Sequence, residues 1–176
     1  MVEVIDNFLN ESDFKSTLEG IVFNTTFQWF LSRGVSSNIV LESNYNHFAF
    51  YHTFYSNYRH NENHDNLHNI GETNSEYIDL IKPMTEKLNM KALLRSKANL
   101  YYKTNKRVDH DDHVDMDFSH KGALLNLNTN NGGTVIDGKS YKSVANQVLL
   151  FDASKPHHSF TQTDEELRFN MIVNYL

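Results

Sequence analysis

The chain has 176 residues, a formal net charge of −6, 39% hydrophobic residues and 12% aromatic residues. Its length suits a single domain with one sizeable core, and its aromatic content is typical of a globular protein rich in β-sheet. The acidic balance excludes nucleic-acid binding through a broad basic face and favours a neutral or cationic substrate. The sequence contains no cysteine, so histidines and carboxylates must hold any metal.

The N-terminal segment predicts a strand over 3–6 and then a helix that Asn10 or Ser12 can cap. The apolar positions of this helix recur at helical spacing: Phe14, Leu18, Ile21 and Val22. Acidic residues interrupt the first fourteen positions and no long apolar run occurs there. We therefore expect no signal peptide, no membrane span and a cytoplasmic location.

The middle of the chain is harder to interpret. Alternation over 47–51 predicts a strand, and residues 75–89 predict a helix that Pro83 would kink or shorten. Between them, 59–75 is polar and carries His60, His64 and His68 at intervals of four. On a helix these histidines would form a metal-binding stripe, but the surrounding Asn, Gly and Ser residues favour a solvated loop.

From residue 92 onward the sequence breaks into short apolar runs. They predict strands over 93–103, 108–117, 121–129, 133–137, 140–144, 147–152, 157–162 and 167–175, with tight turns at 130–133 and 137–138. This pattern predicts an α+β fold that is mostly β, with an antiparallel barrel or sandwich following N-terminal helices. We expect one domain over 1–176, in which 1–91 supports a core formed by 92–176.

A candidate metal site lies in the segment 108–118. His113 and Asp115 are two residues apart, so in a strand both side chains project from one face and can bind one ion. A further histidine completes a facial triad that leaves three iron positions open for a bidentate 2-oxo acid and dioxygen. His-x-Asp alone is a weak signal, because the chain has ten histidines and a second copy lies at 110–112.

The features downstream make the signal specific. A Gly-Gly-Thr segment at 132–134 is followed by an apolar strand ending at 149–152, then by His157 and His158. Arg168 follows eleven positions after His157. Leu167, Phe169 and Met171 alternate with Arg168 and its neighbours, but the alternation does not say which face is the interior.

These motifs resemble the iron(II)- and 2-oxoglutarate-dependent oxygenases, in particular the prolyl-hydroxylase-like branch with its small stand-alone members in viruses and marine bacteria. The resemblance is strong over 92–176 and loose before it. It rests on the segments 98–101, 113–118, 123–128, 130–134, 144–146 and 151–152, together with His157 and Arg168.

The resemblance implies a double-stranded β-helix core of jelly-roll or cupin-like type. It implies His113, Asp115 and His157 as the iron(II) ligands and catalytic centre, and Arg168 as the partner of the distal carboxylate of 2-oxoglutarate. The family's spacing between the distal ligand and this arginine favours His157 over His158. The other histidine would then face away and pack or support the site.

One position departs from the family pattern. Where related proteins often have a tyrosine that holds 2-oxoglutarate, this chain has Asn126, so the phenol contact is lost. Asn126 can still donate a hydrogen bond, and Tyr101 matches a family position near the cosubstrate. A purely structural Tyr101 remains the alternative.

By this resemblance the expected activity is a dioxygenase that hydroxylates an unactivated C–H bond and releases succinate and carbon dioxide, with ascorbate as a supporting reductant. The expected substrate is a peptidyl side chain, prolyl first, or a small metabolite. We expect neither nucleic acid nor a membrane as partner, and a viral member would act in the host cytoplasm. The alternative from another class is a non-catalytic β-barrel module that binds a metal or a ligand, and a cupin-type metalloenzyme is disfavoured because it usually needs His-x-His and a glutamate.

Overall fold

The computed structural model describes residues 1–32, 34–35, 48–57 and 73–176. The predicted loop histidines at 60, 64 and 68 lie outside these residues, as does the start of the strand predicted over 47–51. The helices are α1 (Glu11–Ile21) and α2 (Lys82–Thr85). The strands are β1 (Glu3–Ile5), β2 (Phe30–Ser32), β3 (Ala49–Ser56), β4 (Thr73–Asn74), β5 (Leu93–Tyr102), β6 (Lys121–Asn126), β7 (Asn130–Ile136), β8 (Lys139–Ser143), β9 (Val148–Asp152), β10 (His157–Phe160) and β11 (Leu167–Tyr175).

The first helix forms as its sequence predicts. Asn10 has extended backbone angles, and its side-chain oxygen accepts a hydrogen bond from the Asp13 backbone N–H at 2.8 Å. Such a cap satisfies one of the free N–H groups of the first turn and contributes about 1 kcal/mol. Ile21 is buried in the core, and Phe14 and Leu18 pack against it. The apolar stripe therefore attaches this helix to the sheet.

The helix predicted over 75–89 is much shorter than expected. A 3-10 turn, Ile78–Ile81, leads directly into α2, which ends at Thr85. Pro83 lies in the first turn of α2, where its missing N–H has no helical partner to lose. Proline thus starts a single helical turn here and does not kink a long helix.

Two antiparallel sheets form the main body of the fold. The eight-stranded sheet has the order β1-β9-β6-β11-β5-β3-β2, with β4 paired to β3, and the three-stranded sheet has the order β10-β7-β8. Strands from the first 91 residues extend the large sheet at both ends, and two short helices accompany it. This is the mostly β, double-stranded β-helix architecture that the sequence predicts.

The large sheet has two different faces. Phe54, Ala98, Leu125 and Met171 belong to a core that also contains Ile21 of α1. The opposite face packs toward the small sheet through a second apolar cluster: Leu124, Ile136, Leu149, Phe151, Ala153 and Ile172. The space between the two sheets therefore has an apolar floor, and its remaining walls carry the polar side chains described below.

The segment predicted as a strand over 108–117 is irregular, which corrects that prediction. It pairs with β10 at two isolated bridges, Asp109 with Phe160 and His113 with His157. Between the bridges it has three residues, 110–112, opposite two, 158–159. The extra residue breaks the ladder as a bulge does. Residues 114–117 belong to no strand or bridge, so the convergence of His113 and Asp115 does not come from regular strand alternation.

The predicted turn at 130–133 is also wrong, because these residues begin β7. A Cβ atom added to Gly133 would lie 2.0 Å from the Tyr141 carbonyl oxygen and 2.9 Å from the Phe160 ring. Gly133 is thus needed for the close approach of neighbouring strands.

The predicted turn at 137–138 is confirmed. Asp137 and Gly138 have φ angles of 52° and 73° between β7 and β8, as a tight hairpin turn requires. Within the described parts of the chain, no helix is both long and apolar enough to cross a membrane.

Candidate metal centre and active site

A cavity of about 90 Å³ lies between the two sheets. Its walls include Arg95, Lys97, Asn99 and Tyr101 of β5, which alternate along one face of that strand. Pockets that enclose a whole drug-sized ligand usually measure about 300–1,000 Å³. The cavity enclosed by the described residues is therefore suited to a metal, a small cosubstrate and the reacting part of a larger molecule.

The structure brings His113, Asp115 and His157 together on the wall of this cavity. One ligand atom from each lies within 4.8 Å of the others. Nε2 of His113 and Nε2 of His157 are each 3.9 Å from a carboxylate oxygen of Asp115. The group has the composition and the convergence of a two-histidine, one-carboxylate metal site.

The protonation of this group suits metal binding. Burial, followed by the nearby His157, lowers the pKa of His113 to about 4. Burial alone would raise the pKa of Asp115, but Arg95 and the two histidines outweigh it and hold that pKa well below its usual range. His113 is therefore neutral and Asp115 ionised at neutral pH, the forms in which both residues coordinate a cation.

Neighbouring side chains and backbone fix the orientation of two of these groups. Arg95 Nη2 donates to Asp115 Oδ1 at 2.6 Å, and Asn174 Nδ2 donates to Asp115 Oδ2 at 2.8 Å. Nδ1 of His157 lies 2.9 Å from the Lys155 carbonyl oxygen, so that nitrogen carries the proton. The lone pair is thereby left on Nε2, which faces Asp115.

The competing histidines lie elsewhere. His158 Nδ1 is 2.6 Å from Asp112 Oδ1, and its Nε2 is 3.4 Å from Asp109 Oδ1. His110 is buried with its Nδ1 2.7 Å from the Ser159 hydroxyl. The second His-x-Asp copy is thus divided between two different surroundings, and its side chains do not converge on one point.

Arg168 is fully buried on the β11 face that points between the sheets. Its Nη1 donates to the Gly133 carbonyl oxygen at 2.8 Å, and its guanidinium carbon lies 4.2 Å from the Tyr101 ring centroid. Nε and Nη2 have no hydrogen-bond partner among the described residues. Burial lowers the pKa of Arg168 from its ordinary value, yet a guanidinium remains charged at neutral pH.

Tyr101 and Asn126 occupy different surroundings. Tyr101 lines the cavity, and its ring centroid lies 4.2 Å from the Arg168 guanidinium carbon and 6.0 Å from the centroid of the His110 ring. Asn126 is buried in β6, and its Oδ1 accepts a hydrogen bond from the Ser143 hydroxyl at 3.1 Å. Asn126 is not part of the cavity wall formed by the described residues.

Sequence reasoning missed Arg95 and Lys97. Arg95 forms the closest ion pair to Asp115, and burial, followed by the charge of Arg95, lowers the pKa of Lys97 to about 8. The available signal was the period-two run of polar and aromatic residues at 95, 97, 99 and 101 within a predicted strand. Such a run places four side chains on one face of the sheet.

Comparison with known proteins shows likeness at the level of the fold. No protein-family model matches the chain, and no curated protein matches it by sequence. A prolyl hydroxylase from Trichoplax adhaerens, solved with a peptide fragment of the hypoxia inducible factor oxygen degradation domain, is similar over 99% of this chain and 83% of its own, at 14% identity and a TM-score of 0.63.

Two bacterial structures give the same result. A prolyl-4-hydroxylase from Pseudomonas putida is similar over 99% of this chain and 91% of its own, at 14% identity and a TM-score of 0.63. An oxidoreductase of the 2OG-Fe(II) oxygenase family from Burkholderia pseudomallei covers 99% and 84%, at 11% identity and a TM-score of 0.63. The chain therefore has the double-stranded β-helix fold that prolyl hydroxylases and 2OG-Fe(II) oxygenases share.

Proposed function

We propose that the chain is an iron(II)- and 2-oxoglutarate-dependent dioxygenase that hydroxylates an unactivated C–H bond. The observation that carries this proposal is the buried guanidinium of Arg168, two of whose nitrogens have no partner among the described residues. A buried charge without a counter-ion costs several kcal/mol. Such a group is retained where a ligand supplies the missing charge, and it lies on the same inward face of β11 as the cavity wall.

In this proposal His113, Asp115 and His157 hold the metal. The donor set favours iron(II), because two imidazoles and one carboxylate on one side of an octahedron leave positions for a bidentate cosubstrate and dioxygen. Arg95 and Asn174 keep the Asp115 carboxylate oriented through one hydrogen bond to each oxygen. The Lys155 carbonyl does the same for the His157 ring.

Arg168 then binds the distal carboxylate of 2-oxoglutarate. A guanidinium presents parallel N–H donors that match a carboxylate in a bidentate pair. Tyr101 stabilises the position of Arg168 through a cation–π contact, with 4.2 Å between the guanidinium carbon and the ring centroid. Asn126 replaces the tyrosine expected there. It shares a face of β6 with Leu124 of the cavity wall, and we assign it a supporting polar role behind that wall.

With dioxygen, the bound iron(II) and 2-oxoglutarate would supply the oxidative chemistry: one oxygen atom would enter the substrate C–H bond and the other succinate, with release of carbon dioxide. The protein positions the reactants and excludes water. Leu124, Phe151 and Ile172 provide the apolar part of the wall, and an apolar surrounding strengthens every charged contact inside it.

A peptidyl side chain, with proline first, is the proposed substrate class. Its support is the fold shared with two prolyl hydroxylases, one of them solved with a peptide fragment. A small metabolite is the alternative within the same chemistry.

The test is the release of succinate from 2-oxoglutarate by the purified protein with iron(II), oxygen and ascorbate. We expect slow succinate formation without substrate, and faster formation with a +16 mass product when a suitable peptide or metabolite is added. His113→Ala and His157→Ala should abolish succinate, whereas His110→Ala should keep a measurable part of it. Tight metal binding without succinate under any condition would favour the non-catalytic metal-binding module.

A further inference from the structure

Lys97 is a charged group in the cavity that the proposed function does not use. It is half-buried in β5, lines the cavity and shares the strand face of Arg95 and Tyr101. Its register partner on the neighbouring strand β11 is Ile172, which also lines the cavity. Lys97 therefore points into the space where substrate and cosubstrate would meet.

The amine of Lys97 has no carboxylate within 4.0 Å among the described residues. The amine forms a cation–π interaction with Tyr51, with Nζ 5.0 Å from the ring centroid. Such a contact contributes about 0.5–2 kcal/mol and uses the charge but none of the hydrogen-bond donors. With a pKa of about 8, the amine is mostly protonated at neutral pH. Its donors remain available to a ligand.

The single carboxylate on the described cavity wall is already engaged. Asp115 accepts hydrogen bonds from Arg95 and Asn174 and faces the two histidines. If 2-oxoglutarate offsets the charge of the metal and pairs with Arg168, positive groups still outnumber negative ones in the cavity. The local charge is thus opposite to the net charge of −6 carried by the whole chain.

Lys97 lies at a distance from the metal ligands that a substrate molecule can span. Arg95, whose guanidinium contacts Asp115, precedes it by two residues, which corresponds to about 7 Å along a strand. A substrate with its reacting carbon near the metal could place a carboxylate a few bonds away against Lys97. The same amine would repel a substrate with a positive charge at that point.

We propose that Lys97 is a substrate-recognition residue whose ammonium group binds a carboxylate on the substrate, close to the carbon that is hydroxylated. This inference rests on the proposed oxygenase function and narrows its substrate class to molecules that carry a carboxylate. It replaces the neutral or cationic substrate expected from net charge. The carboxylate has two sources, the α-carboxylate of a free amino acid or an acidic side chain next to the target in a peptide.

The experiment uses two pools of probes with the unaltered 176-residue chain, iron(II), 2-oxoglutarate and ascorbate. One pool contains the free amino acids beside their amides, and the other contains acetylated, amidated tripeptides whose only carboxylates are Asp and Glu side chains. Mass spectrometry records +16 products as a ratio of carboxylate-bearing to neutral and basic members. We expect this ratio to be at least about 10, which corresponds to a free-energy difference of about 1.4 kcal/mol. The pool that reacts identifies the source.

Three variants then test the role of Lys97 itself. Lys97→Met keeps the length and apolar packing of the side chain and should reduce the ratio about tenfold. Lys97→Glu should invert the ratio toward basic members, a change that a purely structural lysine would not produce. Lys142→Met, on the exposed side of β8, is the matched control and should leave the ratio unchanged.

Each remaining outcome counts against the proposal. Equal reaction of neutral members, an unchanged ratio in Lys97→Glu, or succinate release without product from either pool would overturn carboxylate recognition while leaving the oxygenase assignment intact. Weaker binding of 2-oxoglutarate in Lys97→Met, with the product ratio kept, would assign Lys97 to the cosubstrate instead. Absence of succinate in the unaltered protein would remove the oxygenase function and this inference with it.

Discussion

Two arginines lie on strand faces that point between the two sheets, and their surroundings differ in one respect. Arg95 donates to Asp115 at 2.6 Å and to Asn174 at 3.1 Å, so its charge is matched by a carboxylate. Arg168 donates only to the Gly133 carbonyl and lies over the Tyr101 ring, without a carboxylate nearby among the described residues. The register along β11 separates their positions by six residues, about 20 Å of strand.

In the proposed function, this difference separates a residue that orients a metal ligand from one that binds the cosubstrate. A guanidinium that is already paired with a carboxylate near a metal site fixes the orientation of that carboxylate. It acquires no additional counter-charge when the cosubstrate binds. An unpaired buried guanidinium destabilises the free protein and becomes favourable when an anion arrives. The four predictions below test this comparison, beginning with the largest expected effect.

Removal of the carboxylate that Arg95 and the histidines share should have the largest effect. We expect Asp115→Ala to lower iron(II) affinity by more than about hundredfold, beyond the 10- to 100-fold typical of residues that only support a ligand. Anaerobic calorimetric titration of the metal-free protein with iron(II) measures this. Asp112→Ala is the matched control, because Asp112 is exposed and contacts His158. Equal affinity in both variants would contradict the proposed ligand set.

The two arginines should respond with opposite signs when each is replaced by methionine in the metal-free protein. Arg95→Met leaves Asp115 buried without its main counter-charge and should lower the free energy of unfolding by about 3–5 kcal/mol. Arg168→Met removes an unmatched buried charge and should raise the free energy of unfolding by about 1–4 kcal/mol. Urea denaturation at pH 7 in the presence of a chelator compares them. A loss of stability in Arg168→Met would mean that this guanidinium is already compensated.

Cosubstrate binding should depend on Arg168 far more than metal binding does. Arg168→Ala should weaken 2-oxoglutarate by about 2–5 kcal/mol, the usual cost of truncating one member of a buried charge pair. Arg168→Lys should recover only part of this, because an ammonium group lacks the two-pronged contact. Anaerobic titration of the iron(II) protein with 2-oxoglutarate, followed by its visible charge-transfer band, gives both affinities. Unchanged affinity in Arg168→Ala would remove this residue from the site.

The smallest effect on iron(II) affinity is expected for replacement of His158. Comparing it with replacement of His157 shows which of the two adjacent histidines binds the metal. His158→Ala breaks a partly exposed pair with Asp112, and such pairs contribute about 0–1 kcal/mol. Iron(II) affinity should stay within about twofold of that of the unaltered protein, whereas His157→Ala should lose tight binding. If the two variants behave in the opposite way, His158 is the distal ligand.

The sequence predicted the β core well where the pattern had period two. The strand over 93–103 became β5, and that over 167–175 became β11 with the same bounds. Both are long and central in the large sheet, where alternating burial follows directly from side-chain direction. The predicted elements were less accurate where one local sequence signal was compatible with two structures. Gly132 and Gly133 suggested a turn, but close strand packing was their actual reason.

The sequence predicted that His113 and Asp115 lie close together, but the structural reason differs from the expected one. Side-chain alternation along a regular strand was the reason to expect His113 beside Asp115, but residues 114–117 lie outside any strand or bridge. Hydrogen bonds from the His113 and Asp115 N–H groups to the carbonyls of His157 and Ala153 hold this segment in place instead. No local pattern encodes these contacts, because their partners lie about forty residues away in the chain.

The sequence by itself determined which residue types were available and how they alternate. The absence of cysteine restricted metal ligands to histidine and carboxylate, and the alternation in β11 put Arg168, Asn170 and Ile172 on one face. Only the tertiary structure decided that this face lies between the sheets, because helices cover the other face of the large sheet. It also decided that Arg95 contacts Asp115, whereas Lys97 and Arg168 contact no carboxylate of the residues that the structure describes. Pairing of charges depends on distances between strands remote in sequence, which periodicity within one strand does not contain.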